Sequence, residues 1–333
     1  MMKRMILVAV VIVVLAAAIG GAWLHHNLWG VRSTQPVELE IAAGADARQI
    51  LSQLHAKDLL PSVLAGRVYL KFLAPEQALY YGHYQFPAAG RPVDVLGRIL
   101  RGEVKMFTAT IVEGSDIETI GEQFSGLGLG TADTWRAIGR RVEWLSDFAA
   151  GAPSLEGFLF PDTYRFAVGI SADQAARHLV ERFKEVWLEE TARAEKPWGS
   201  ALEIVTLASL VEAETSLDEE RPLIAGVFAG RLNRGMLLQC DPTVVYALKR
   251  RSEWRGRLLR IHWEVDDPYN TYRYPGLPPG PINSPGRAAL AAAINPQQTP
   301  YLYFVAKPGG GHTFSKTLSE HNRAVARLMS SRR

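Results

Sequence analysis

The chain has 333 residues, 47% hydrophobic and 21% charged, and a formal net charge of +3. These are the values of a folded globular protein, and so small a charge, with no basic block interleaved with aromatics, argues against nucleic acid as a partner. Cys240 is the only cysteine, which excludes an internal disulfide framework and a multi-cysteine metal site but is compatible with a bacterial periplasm.

At the N-terminus, Lys3 and Arg4 precede an unbroken uncharged run from Met5 to Leu24. As a helix such a run spans about 30 Å, the thickness of a bilayer's hydrocarbon core. Trp23 and Trp29 suit the interface, and the two basic residues favour an N-terminus inside and the remainder outside. A cleaved signal peptide competes with this reading through Ala16 to Ala18, but its apolar region would be unusually long. The expected organisation is a cytoplasmic N-terminus at 1–4, a transmembrane anchor at 5–24, a linker at 25–36, a small β-α module at 37–106 and a larger domain at 107–330.

After the linker, Val37 to Ile41 alternates as a strand. Gly44 and Ala45 make a turn, and Asp46 caps a helix from Ala47 to Ala56. A second helical stretch covers Ser62 to Leu73. The aromatic run Ala78 to Phe86 reads as strand and Arg91 to Arg101 as helix. Thr108 to Val112, the turn Glu113-Gly114-Ser115 and Ile117 to Phe124 then repeat the strand, glycine turn and helix order, with IVEGSDIETIGEQF echoing IAAGADARQILSQL. Trp135 to Ala149 reads as helix, Ser154 to Phe166 as an aromatic loop and strand turning at Pro161 and Asp162, and Ser171 to Glu190 as an amphipathic helix with Asp173 in its first turn.

Leu202 to Thr215, LEIVTLASLVEAET, holds the most informative chemistry. Ser200 and Glu203 form a capping-box signature, and the helix after it is apolar around most of its circumference, as in a buried element. It carries Glu212 and Glu214 near its C-terminal end. A buried carboxylate is costly unless paired or protonated, and apolar surroundings at the negative end of a helix favour the proton. A carboxylic acid kept protonated near neutral pH is what glycosidic cleavage needs as general acid. The plain alternative is a solvated helix face. Residues two apart on a helix lie about 200° apart, so Glu212 and Glu214 cannot address one substrate together. One acid working alone or with a distant partner follows, and helix geometry leaves open which of the two it is.

A further helix covers Arg221 to Asn233, and three polar or aromatic stretches come after it. LQCDPTVVY places Gln239, Asp241 and Thr243 around a helix start at Asp241 or Pro242, where Asp241 could serve as N-cap. DPYNTYRY, from Asp267 to Tyr274, leads into the Pro-Gly loop Gly276 to Gly286. Tyr269, Asn270 and Tyr272 there suit a sugar-binding wall of stacking faces and directional amides, or equally a rigid surface loop. YLYF, from Tyr301 to Phe304, precedes a glycine run and His312, a site residue or a hydrogen-bonded structural one. The spacings of His262, His312 and His321 match no zinc signature, so neither a metal nor a cofactor is expected.

Five stretches in order, LEGFLFPDTYRF, ASLVEAET, GRLNRGMLLQCDPTVVYAL, YNTYRYPGLPPGPINSPG and TPYLYFVAKPGGGHTFSKTLSEHN, resemble the endolytic murein transglycosylase (YceG-like) family over about Leu155 to Asn322. The anchor and a LysM-like region at 37–106 extend the likeness over nearly the whole chain. The resemblance implies an α+β protein with a membrane helix, a LysM-like module and a mixed α/β catalytic domain. It implies internal cleavage of peptidoglycan strands between N-acetylmuramic acid and N-acetylglucosamine, giving 1,6-anhydro ends and terminating glycan elongation. The family's catalytic acid falls on Glu212, the first Glu of VEAET. It would protonate the leaving oxygen and then take the proton of the muramoyl 6-hydroxyl, so no second carboxylate is needed to activate water. Glu214, Gln239, Asp241, Thr243, Tyr269, Asn270, Tyr272 and His312 fall on positions that would line the cleft. Cys240 departs from the Thr often found there and is expected to pack. The implied partners are peptidoglycan glycan strands and the synthesis machinery with its penicillin-binding proteins. The implied place is the bacterial inner membrane, crossed once, with the catalytic domain in the periplasm. A catalytically silent scaffold for wall synthesis is the competing class.

Overall fold

A computed structural model describes residues 2–32, 35–75, 77–194 and 197–331. Ser33 and Thr34 of the expected linker, and the C-terminal Arg332 and Arg333, lie outside the described residues. The chain divides into two compact units, Met1–Thr108 with Arg165–Ile170, and Ala109–Tyr164 with Ser171–Arg333. The architecture is mixed α and β, with three two-stranded sheets among the described residues.

In the first unit, α1 (Met2–Trp29) is long and apolar enough to cross a membrane, and its apolar window is not buried in the protein. The helix runs past Leu24 because no breaker follows, and Leu24 and Leu28 pack into the core of this unit. Strand β1 (Val37–Ile41) leads to α2 (Ala47–Ala56). Asp46 caps that helix as its sequence implies: its carboxylate accepts from the Gln49 amide at 2.7 Å, and Gln49 Oε1 accepts from the Asp46 amide at 2.9 Å. Helix α3 (Val63–Phe72) and strand β2 (Gly82–Phe86) follow, then α4 (Pro92–Leu100). The strand expected from Ala78 begins only at Gly82, because Tyr80 is turned toward α4 and donates its amide to the Ile99 carbonyl at 3.3 Å. β1 and β2 pair antiparallel, from Val37 opposite Phe86 to Ile41 opposite Gly82. Leu39, Ile41, Ile50, Leu54, Tyr84, Phe86 and Leu96 fill the core beneath them.

β3 (Met106–Thr110) pairs with β4 (Thr163–Ala167), and the division between units runs through both strands. Between them lie α5 (Ile117–Gly126) and α6 (Ala132–Ile138). The helix expected from Trp135 to Ala149 stops at Gly139. The Gly139 carbonyl accepts from the Leu155 amide at 2.8 Å, and a separate 3-10 turn forms at Val142–Leu145. The second unit continues with α7 (Ala172–Thr191), α8 (Ala201–Glu214), α9 (Arg221–Leu232), α10 (Asp241–Arg250) and α11 (Arg287–Ile294). It ends in the hairpin β5 (Tyr303–Ala306) and β6 (His312–Ser315) and in α12 (Leu318–Ser331).

Helix α8 is the axis of this unit. Every residue from Ile204 to Val211 is buried, and α9, α10 and α11 pack around it. Ala289, Ala292 and Ala293 are buried on α11 together with Leu290 and Ile294, and the short side chains among them let it approach α7, α8 and α9 closely. Beside them Phe183 of α7, with no exposure to solvent, meets Phe158 edge to face (ring centroids 5.2 Å apart) and stacks on Phe148 (5.9 Å). Phe183→Ala should therefore lower stability by about 3–5 kcal/mol, read as a shift in chemical denaturation of the second unit.

Candidate active site

Glu212 lies in the last turn of α8, and two donors from distant segments hold its carboxylate. Arg221 Nη2 donates to Oε1 at 2.8 Å, and the Gly286 amide donates to Oε2 at 2.9 Å. Both side chains of the Arg221–Glu212 pair are nearly inaccessible, at 5% and 7% exposure. The same guanidinium is bonded to Asp218 and stands 3.9 Å from a second carboxylate, Glu113. Glu113 also lies against Gly286, where any Cβ would collide with its carboxylate. Burial, and then the neighbouring charge of Glu212, hold the Glu113 carboxyl above the usual range against the pull of Arg221.

Both Glu113 and Arg221 escape the sequence reading, although each leaves a trace. In the internal echo, IVEG places Glu113 where the first copy has an alanine, in an otherwise matching glycine turn. Arg221 opens α9, where the positive end of the helix dipole disfavours a cation. Asp218, three residues earlier, offsets that cost in part, and the buried Glu212 provides a second, non-local partner.

Backbone and side-chain bonds fix the loops around this carboxylate. The Gly114 amide donates to the Ser284 carbonyl at 2.9 Å, and the Ser284 amide donates to the Ser115 carbonyl at 2.8 Å. One turn before Glu212, Ser209 Oγ accepts from the Ile282 amide at 3.1 Å, and Asn283 Nδ2 donates to the Ser209 carbonyl at 2.9 Å. The Pro-Gly loop is thus tied to the helix that carries Glu212. Arg221 Nε, Asn283 Oδ1 and Ser284 Oγ are buried here without a hydrogen-bond partner from the protein.

Glu214 faces away from Glu212, as two positions along a helix require. Its Oε1 accepts from Cys240 Sγ at 3.1 Å, and burial holds its carboxyl above the ordinary range. Burial, with Glu214 beside it, pushes the Cys240 thiol well up, so this cysteine packs as a neutral group. Asp241 is the first residue of α10 rather than its N-cap: Cys240 holds the cap position without a side-chain bond. The Asp241 carboxylate is spent elsewhere, accepting from the Tyr272 hydroxyl at 2.6 Å and from Trp263 Nε1 at 3.1 Å. Gln239 is exposed beside it, with a positive φ of 52°.

The remaining expected residues divide by burial. Thr243 and Asn270 are fully buried. Thr243 Oγ1 donates to the Cys240 carbonyl at 2.7 Å, and Asn270 Nδ2 donates to the carbonyls of Trp263 and Val265 at 2.9 and 2.7 Å. Both shape the loops instead of facing solvent. Tyr269 packs on Tyr246 at 4.9 Å, away from Tyr272, which stacks on Trp263. His312 is clamped by Glu220, through Nδ1 to Oε2 at 2.7 Å and through its amide to Oε1 at 2.8 Å. Gly311 permits this approach, because a Cβ there would stand 2.6 Å from Glu220 Oε1.

Three cavities adjoin along the second unit. One of about 420 Å³ is lined by Glu214, Gln239, Asp241, Tyr272 and His312. Asp241 also lines the next, of about 400 Å³, together with Gly114, Ala213 and Asn283. Asp116, Tyr246 and Lys249 are shared with the third, of about 650 Å³, which holds Tyr269 and Glu156. Ala213 and Gly114, which line the middle cavity, follow Glu212 and Glu113 in the chain; the two carboxylates themselves line none of the three. Among the described residues no three His, Cys, Asp or Glu side chains converge to hold a metal. A carboxyl fixed by two donors beside an extended groove can give a proton to a bound polymer and take one back.

Removing the Ser209 hydroxyl strands the Ile282 amide, so Ser209→Ala should cost about 1–3 kcal/mol in chemical denaturation and slow turnover by loosening the loop that bears Gly286. In the third cavity, burial foremost pushes the Glu156 carboxyl up to about 8 from 4.5. The folded state therefore holds a proton that the unfolded chain releases, and stability should fall as pH rises from about 4.5 through about 8. Glu156→Gln, neutral throughout, should flatten that decline in denaturation measured across the same pH window.

A family model described as the YceG-like family matches residues 39–327. The chain is 31% identical to an endolytic murein transglycosylase of Bacillus subtilis (strain 168), over 94% of this chain and 92% of that protein. It is 27% identical to an endolytic murein transglycosylase of Streptococcus pneumoniae serotype 2, over 90% of this chain and 60% of that longer protein. A crystal structure of a YceG-like protein from Listeria monocytogenes superposes with a TM-score of 0.58 at 29% identity, covering 88% of this chain and 100% of that one. With the family match running from β1 into α12, this chain belongs to the YceG-like family.

Proposed function

We propose that the protein is an endolytic lytic transglycosylase of peptidoglycan, cleaving the bond between N-acetylmuramic acid and N-acetylglucosamine in nascent strands to leave 1,6-anhydro ends. The observation that carries this reading is the Glu212 carboxyl, clamped by Arg221 and the Gly286 amide, with its chain neighbour Ala213 lining the middle one of three adjoining cavities. In its acid form Glu212 protonates the leaving glycosidic oxygen as positive charge develops on the sugar ring. As carboxylate it then takes the proton of the muramoyl 6-hydroxyl, whose oxygen closes the anhydro ring. Gln239, Asp241, Tyr272, Glu214 and His312 line one reach of the groove and Tyr269 another; Thr243 and Asn270 hold the loops in place.

Glu113 supports a second reading. A carboxyl with raised proton affinity beside the acid is suited to activate water, which would make the reaction hydrolysis with a reducing end.

We further propose that α1 anchors the protein once in the bacterial inner membrane, with Lys3 and Arg4 on the cytoplasmic side and the catalytic unit in the periplasm. The β1-α2-α3-β2 module is read as LysM-like. A tethered cleft is confined to a limited range above the bilayer, which suits termination of strands emerging from penicillin-binding proteins and the rest of the synthesis machinery.

Mass spectrometry of glycan strands treated with the protein and with its Glu212→Gln and Glu113→Gln forms tests both readings. The native protein should give anhydro ends, Glu212→Gln should be slower by about 10²–10⁴-fold, and Glu113→Gln should stay within about tenfold. Reducing ends, with collapse in Glu113→Gln, would establish the hydrolytic reading, and full activity of Glu212→Gln would sink both.

A further inference from the structure

The 650 Å³ cavity bounded by α5, the end of α6 and α10 is within the usual size of small-ligand sites, about 300–1,000 Å³, and its charge is unbalanced. Four cations line it: Arg136, Arg140, Lys249 and Arg250. Lys249 is matched by Asp116 at 2.7 Å, and Arg136 by Glu118 at 2.9 Å. The other two are not matched in this way. Arg140 is exposed and has no acidic partner among the described residues. Arg250 has only Asp267 at 3.9 Å and lies over the Tyr269 ring, 4.7 Å from its centre.

The only further carboxyl on the wall, Glu156, is 3% exposed and is engaged by the Ile117 amide at 3.1 Å and the Tyr246 hydroxyl at 3.1 Å. Its raised proton affinity leaves it largely neutral near pH 7 and unable to offset the cations. The cavity therefore presents two guanidinium groups with unused donors beside an aromatic ring. Guanidinium forks match planar carboxylates, whereas neutral sugar hydroxyls would gain little from them.

We infer that this cavity is a subsite for the peptide carried by the muramoyl residues of the substrate, with Arg140 and Arg250 receiving its carboxylates. The inference rests on the peptidoglycan reading of the groove. Its position fits a branch from the glycan: Asp116, Tyr246 and Lys249 join this cavity to the middle one, where Ala213 follows Glu212. A strand seated along the middle cavity would project its lactyl-linked peptide sideways into the basic one. Arg140 and Arg250 thereby become specificity determinants for peptide-bearing over bare glycan.

The test compares KM for strands that keep their peptides with KM for strands stripped by an amidase, using the full chain in detergent. The native protein should favour peptide-bearing strands by about tenfold, and the R140A/R250A double variant should lose that preference. R140K/R250K, which keeps the charge but not the fork, should recover part of it. Calorimetry of the Glu212→Gln protein with a soluble disaccharide-peptide and with the bare disaccharide should give the same ranking. A preference undiminished in R140A/R250A, or none in the native protein, overturns the inference. No cleavage of either substrate by the native protein, with no binding of either disaccharide, overturns the peptidoglycan reading instead.

Discussion

The buried pair of Arg221 and Glu212 is the interaction around which the second unit is arranged. Two charges withdrawn from water gain from one another only when geometry and further hydrogen bonds are good, and losing one partner leaves the other stranded. Here the requirement is met by segments far apart in sequence: the end of α8, the first residue of α9, the loop holding Glu113 and the Gly286 amide before α11. Each must be in place for Glu212 to keep its orientation. Ser209 adds the tie that keeps the Pro-Gly loop against α8, one turn from the acid.

Rigidity at Glu212 contrasts with the open run of cavities beside it. A general acid, the role proposed for Glu212, has to stay within hydrogen-bond reach of one oxygen while a polymer substrate extends in both directions. The buried α8, with α9, α10 and α11 packed around it, supplies the fixed part, and the loops after Leu238 and Asp267 supply the walls. Asp241, Tyr272 and Trp263 stiffen one wall through a shared carboxylate and a stacked ring pair. Arg250 and Tyr269 shape the other end by stacking of a cation on an aromatic face.

Much of the local structure was legible because it follows from short-range physics. The capping boxes at Asp46 and Ser200 start α2 and α8 where their sequences say. That the N-terminal run forms a helix long and apolar enough to cross a membrane follows from length and hydropathy alone. The Trp135 to Ala149 helix failed for a tertiary reason, since the Gly139 carbonyl is taken by Leu155 and the chain leaves the helix there. Asp241 looked like a cap and is not one, because a tyrosine and an indole more than twenty residues away compete for its carboxylate.

The sequence by itself determined that Glu212 and Glu214 point to different surroundings, since helical periodicity admits no other result, and its motifs determined the family. It also determined that the helix carrying them is buried, because no face of Ile204 to Val211 is polar enough for water. Only the tertiary structure decided what meets Glu212: a guanidinium nine residues on, a backbone amide 74 residues on, and the carboxylate of Glu113, which the sequence disguised as a turn residue. The reason is physical. Periodicity and capping act over a few residues and can be read along the chain, whereas the partners of a buried charge are selected by packing in space.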